Sequence, residues 1–358
     1  MSTAHAGNAP LIDWIGDIGA WGNETNWLQG NVPDADSGEG ARVANGGTAV
    51  VGAQVAPIEC LVVEKGRVQI INKQTLGVVQ TTEIVGPSAT LGLNDGELFS
   101  PFTALLDGGA MRGEGRVVGQ VVNQGLISPG DANQPFGRID VDGDLQQGPN
   151  GLLEFQIAST FNGEFDQLRV SGRADLGGTL RVIASPDVVI APGDAFLLME
   201  AAQFTGSFEN VQLISNSITK CFGWTCDDSG SLLLECFDVG DMNLDGVVDA
   251  DDSSYFALAL VDEDRYIEVT CGTTGFWIEP YCIGNCDGLN AFDFDDIAAF
   301  ASQAGLSTAA VMAEIRALQS AVPEPSAAAL AGASLLTLHG LRRRRSEADR
   351  EGVAESSK

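Results

Sequence analysis

Histidine is almost missing: the 358 residues hold two, His5 and His339, one near each end. That excludes Ser-His-Asp and Cys-His machinery, and histidine-ligated zinc, from everything between them. Basic residues are scarce as well, with 19 Lys plus Arg against 49 Asp plus Glu and a formal net charge of −30. Such a chain excludes nucleic acid and anionic lipid as partners of its body. The first two hundred residues hold a single cysteine, Cys60, read as a buried thiol. No CxxC pair occurs anywhere, which weighs against zinc. The glycine-rich stretches GDIGAWG and GGTAVVG precede no helical pattern, so no phosphate-binding loop is expected.

What is present is glycine (44 residues) and short β-branched runs. Between residues 10 and 236 these runs alternate with period two and break at Gly, Asn and Asp. GTAVVGAQV, CLVVEKGRVQIIN, GLLEFQI and GTLRVIA are examples. Alternation with a turn every ten residues or so predicts a mainly β body, either a sandwich or a β-solenoid. The units DVDGDLQQGPNGLLEF and RVSGRADLGGTLRV place one strand and one turn per rung, favouring the solenoid. Together with DWIGDIGAWGNETNW and GLISPGDANQPFGRIDVDGDLQQ, this body resembles the autotransporter-like β-helix proteins of bacterial surfaces. That resemblance implies architecture rather than activity. Trp14, Trp21 and Trp27 are read as a cap over the first rung or, alternatively, as a platform for sugar rings.

Residues 241–252, DMNLDGVVDADD, carry the sharpest signal. Asp241, Asn243, Asp245, Asp249 and Asp252 stand at positions 1, 3, 5, 9 and 12 of a twelve-residue calcium loop. Gly246 takes the turn at position 6, and the Val247 carbonyl supplies position 7. Ca²⁺ is a hard cation that takes six to eight oxygens, which this spacing aims at one centre. Asp252 stands where a bidentate Glu is usual. A poorer loop follows in GNCDGLNAFDFDD, where Asn285, Asp287, Asn290 and Asp293 are placed at positions 3, 5, 9 and 12. Helix-compatible runs, SSYFALAL and DIAAFASQAG, come after each loop. A duplicated calcium loop followed by a helix resembles the type I dockerin module, over about residues 238–305. The resemblance implies calcium-dependent folding and docking to a cohesin-like partner. Ala250 and Asp251, in place of the hydroxyl residues that select partners in that family, weaken the second implication. Six cysteines (Cys221, Cys226, Cys236, Cys271, Cys282, Cys286) crowd around the module and are read as disulfides bracing it.

The C-terminal end reads Val322, Pro323, Glu324, Pro325, then about fifteen mostly apolar residues, then Arg342, Arg343, Arg344 and Arg345. The apolar run is shorter than the roughly 20 residues of a comfortable bilayer span. The order of parts resembles the PEP-CTERM sorting signal. It implies an exosortase-type protease as partner, transient anchoring in the inner membrane with the arginines on the cytoplasmic side, and an exported protein. MSTAHAGNAP shows neither a basic nor an apolar leader segment, so residues 1–9 are read as the remnant of a leader encoded further upstream.

The expected organisation is a leader remnant at 1–9, a β-rich repeat domain at 10–236 and a dockerin-like module at 237–305. A helix and linker at 306–321, the sorting signal at 322–345 and a polar tail at 346–358 complete it. The expected function is that of a non-catalytic, calcium-stabilised, exported surface or matrix protein. The alternative is a polysaccharide-binding or polysaccharide-degrading component of an extracellular complex, with Glu154, Glu164, Asp166 and Arg169 as the groups for glycosidase or lyase chemistry.

Overall fold

The computed structural model describes residues 9–321 apart from 133, 162, 186–189, 215–219, 227–229 and 290. The residues expected to form the sorting signal, at 322–325 and 342–345, lie outside the described residues, as do residues 1–8. The chain is mainly β, with 47% strand and 20% helix, and among the described residues the α-helices follow the last strand.

The strands form because alternate apolar side chains find one continuous interior. In Leu152–Ile157 the residues Leu153, Phe155 and Ile157 are buried while their neighbours are not, and Thr179–Ala184 repeats the pattern. Pairing through most of the body is parallel and in register. Leu126–Pro129 pairs with Leu152–Ile157, that strand with Thr179–Ala184, and that one with Asn210–Ile214. A second column runs from Leu11–Asp13 through Gly40–Val43 and Ile58–Val63 to Thr75–Val85. A third crosses the middle of the longest strands, Ala89–Leu106 and Ala110–Asn123, to Arg138–Asp142 and Gln167–Leu176. Those long strands bend where the ladder slips at Asn94/Gly96 and Phe99/Phe102. Glycine is required at the bends. A Cβ on Gly113 (φ +105) would stand 1.8 Å from the Leu93 carbonyl oxygen, and one on Gly119 (φ +126) 1.9 Å from that of Ser100.

The first strands are closed by aromatic packing. Trp14, Trp21 and Trp27 are each 1% exposed. Trp27 meets the other two edge to face at 5.1 and 4.7 Å, and its Nε1 donates to the Trp21 carbonyl at 2.6 Å. Burial at that level rules out the sugar-platform alternative for these three rings.

At the other end the pairing turns antiparallel: Ser231–Asp238 lies between Ala195–Gly206 and Lys220–Cys226. Among the described residues five α-helices follow: α1 (Ser253–Val261), α2 (Glu263–Thr274), α3 (Pro280–Gly284), α4 (Asp296–Gln303) and α5 (Thr308–Ala321). They enclose a second core, with Phe256 stacked on Phe300 at 4.1 Å. The Cys221–Cys282 disulfide joins strand Lys220–Cys226 to α3. The bond joins two of the six clustered cysteines, whose pairing the sequence leaves open, and it ties the helices to the strands. Backbone hydrogen bonds between Trp224 and Trp277, 3.0 and 2.8 Å, reinforce the seam. Cys60 is buried, and Cys271 and Cys286 form no disulfide among the described residues. No helix among the described residues is long and apolar enough to cross a membrane.

Candidate metal centre

The loop at 241–252 is wound around its two end carboxylates, Asp241 and Asp252, both fully buried. Asp241 accepts hydrogen bonds from the backbone N–H of Asp245 (3.1 Å) and Gly246 (3.0 Å). Asp252 accepts from Asn243 N–H (2.9 Å) and Asp249 N–H (2.8 Å). Smaller turns fill the interval: Asn243 accepts from Asp245 N–H, Asp245 from Val247 N–H, and Asp249 from Asp251 N–H. Gly246 sits at φ +90. The Tyr266 hydroxyl of α2, itself buried, donates to the Met242 carbonyl at 3.0 Å and props the loop from below.

Burial pushes both end carboxyls up to about 6. The Asp252 charge adds to the rise at Asp241, and the Asp245 charge adds to that at Asp252, while the N–H donors oppose it. Among the described residues no Lys or Arg pairs with any acid of this loop. Two buried carboxylates with oxygen neighbours and no cationic side chain form a donor set suited to a hard cation. As folded, however, no three Asp, Glu, His or Cys side chains among the described residues converge closely enough to hold a metal. The reason is local. Asp245 directs one oxygen at Val247 N–H and the other at the Asn243 side-chain amide, 3.0 Å away.

The second loop repeats this plan in a register that the sequence reading missed. Asp296 accepts from Asp287 N–H (3.0 Å) and Asp293 N–H (2.8 Å), as Asp252 does from Asn243 and Asp249. Asp293 accepts from Asp295 N–H, as Asp249 does from Asp251. Asp296 therefore takes the last position, Asp293 the ninth, Asp287 the third and Asn285 the first. The sequence reading had placed Asn285, Asp287, Asn290 and Asp293 at the third, fifth, ninth and twelfth. It aligned Asp287-Gly288 with Asp245-Gly246. The better signal was the ending, DADD at 249–252 against DFDD at 293–296. In the corrected register Leu289 falls opposite Asp245, so this loop has one carboxylate fewer. Asn290 lies outside the described residues.

The Asn285 side-chain oxygen is buried with no hydrogen-bond partner among the described residues, at the position matching Asp241. Burial raises Asp296, and it pushes the Cys286 thiol up to about 12, helped by the charges of Asp296, Asp287 and Asp252. The two loops are tied together where they begin, by the Gly240 N–H donating to the Ile283 carbonyl at 2.7 Å.

No family model matches this chain, and no curated protein is significantly similar to it.

The four residues considered for catalysis do not form one site. Glu154 accepts from Ser128 (3.3 Å) and pairs with Arg181 (3.1 Å), so its charge is committed. Glu164 accepts from the Ser159 hydroxyl in an exposed loop. Arg169 stands on an outward face, in register with Asp140. Asp166 is fully buried and accepts from Gly137 N–H (3.0 Å) and Gln156 N–H (2.8 Å), pinning the loop before it to two strands.

Burial pushes Asp166 up to about 7. Its two N–H donors oppose the rise and the nearby Glu154 charge adds to it. The folded chain therefore holds this proton at pH values where the unfolded chain has released it. Stability from this group is full below about pH 4 and is lost as pH rises through 7, by about 4 kcal/mol in all. Asp166→Asn is expected to lower stability throughout, since an amide accepts at one oxygen only, and to flatten this fall. Urea unfolding from pH 4.5 to 8 checks it; equal slopes for parent and variant would count against the assignment.

Proposed function

We propose that the chain is a non-catalytic, exported surface or matrix protein, built as a β-solenoid body followed by a dockerin-like module that binds calcium through two loops. The observation that carries the calcium reading is the repeated hydrogen-bonding plan. In each loop the last aspartate gathers the N–H groups of the third and ninth residues. Asp241, Asn243, Asp245, the Val247 carbonyl, Asp249 and Asp252 would surround the first ion once Asp245 turns inward. Asn285, Asp287, Asp293 and Asp296 would hold the second. A bound divalent ion supplies the positive charge that the buried carboxylates lack.

The solenoid reading is supported by the columns of in-register parallel strands and by the tryptophan cover over their first members. The non-catalytic reading is supported by the dispersal of Glu154, Glu164, Asp166 and Arg169. Export, processing by an exosortase-type protease and transient inner-membrane anchoring rest on the sequence of the tail. Capture of a cohesin-like protein rests on the loop resemblance.

Equilibrium dialysis with radioactive calcium tests the core of this reading. The parent is expected to bind two ions per chain, Asp241→Ala/Asp245→Ala one, and a variant that also carries Asp296→Ala none. A parent that retains no calcium at millimolar concentration would refute it.

A further inference from the structure

The outward face of the third strand column carries a charged ladder that the calcium reading does not use. Thr75, Glu97, Arg116, Asp140, Arg169 and Glu200 stand directly opposite one another on successive parallel strands, so charge alternates from Glu97 to Glu200. Some of that charge is spent internally. Arg116 donates to Glu97 (3.2 Å) and to Asp142, and Asp142 accepts from Ser171 (2.8 Å). The Arg169 guanidinium makes no hydrogen bond or ion pair with any described residue. Two open cavities of about 280 and 270 Å³ flank the ladder and share Arg116 and Asp140. Beside them Phe99, 51% exposed, lies opposite Val118, which in turn lies opposite Asp142.

We propose that this face binds an uncharged glycan chain lying across the strands, with Phe99 as the platform for a sugar ring. The claim concerns the β body and stands whether or not the C-terminal loops take calcium. From Thr75 to Arg169 the groove crosses four strand spacings, about 19 Å at roughly 4.8 Å each, long enough for several sugar rings. Its lining is polar, so an apolar small molecule gains little there. The cavities hold four cationic side chains against five carboxylates. That leaves the groove slightly negative on a chain of net charge −30, which repels uronate or sulfate polymers. A polyhydroxyl chain suits both signs: its hydroxyls donate to Asp140 and Glu97 and accept from Arg169. The face lacks the apolar centre of a protein interface, since the ladder beside Phe99 and Val118 is charged from Glu97 to Glu200.

Affinity electrophoresis of the full chain, run in chelator, tests this. Gels would hold xylan, mixed-linkage β-glucan, galactomannan or starch, with polygalacturonate as the acidic comparison. At least one neutral glycan is expected to retard the parent. The dissociation constant should rise tenfold or more in Phe99→Ala and in Arg169→Gln, and stay unchanged in Glu24→Gln on another surface. Both side chains are exposed, so both variants should melt with the parent. Absence of retardation by every neutral glycan, retardation by polygalacturonate alone, or retardation kept by both variants would overturn the proposal.

Discussion

Chelating calcium from a solution of about 10 mM is expected to lower the stability of the C-terminal helical region by about 4 kcal/mol. The estimate follows from linkage. A first site with a dissociation constant near 10⁻⁴ M is about 100-fold saturated there and contributes about 2.7 kcal/mol, and the second, with fewer carboxylates and a constant near 10⁻³ M, adds about 1.4 kcal/mol. The Asp241→Ala/Asp245→Ala variant should lose about two-thirds of the calcium-linked stabilisation. In chelator it should match or exceed the parent, because the mutation removes a buried carboxylate that burial and the Asp252 charge already disfavour. Thermal melts with and without calcium, followed through near-ultraviolet circular dichroism, separate the two effects. Melts of the parent that coincide in calcium and in chelator would sink the prediction.

The second large effect concerns the start of the strand body. Trp27→Ala should cost about 4 kcal/mol, within the range for deleting a large buried ring. Trp27 is the middle ring of the three, touching Trp14 and Trp21 edge to face, and it donates the hydrogen bond that orders the Trp21 carbonyl. The cavity left behind would face the ends of the first strands, where little can collapse into it. Urea unfolding monitored by the intrinsic fluorescence of the remaining tryptophans measures the loss. A loss under about 1 kcal/mol would mean that the cap contributes little.

Period-two alternation made the strand body legible, because a strand buried on one face must place its apolar residues on every second position. Leu153, Phe155 and Ile157 show how directly that pattern maps to burial. The helices after each loop, α1 and α4, were legible from SSYFALAL and DIAAFASQAG. Helix α2 was not expected. Its sequence EDRYIEVTCGTT is rich in threonine, a poor helix former, and the helix stands through tertiary contact and its ends. The Thr270 and Thr273 hydroxyls bond back to the Tyr266 and Val269 carbonyls, Asp262 accepts from Arg265 N–H at the start, and Gly275 closes the end at φ +80.

Of the candidate centre, the turn at 241–252 was legible because six positions of one short motif coincide, and the structure shows it wound around Asp241 and Asp252. The second was misaligned because an Asp-Gly pair is a strong local turn signal that competes with the weaker motif around it. Only the N–H partners of Asp296 settle the register. The ladder from Glu97 to Glu200 was illegible for another reason. Its members are far apart in sequence, and their alignment depends on strand register, which alternation alone does not specify.

The Cys221–Cys282 bond has a mechanical consequence. A pull between the two ends of the chain reaches residue 221, crosses the sulfur bridge to residue 282 and continues toward the tail. The first loop, at 241–252, sits inside the bypassed segment and carries no tension. The second loop, at 285–296, lies on the path. A protein held at its C-terminal end and loaded at its body would thus strain the loop with fewer carboxylates first, while the better-furnished one keeps its geometry.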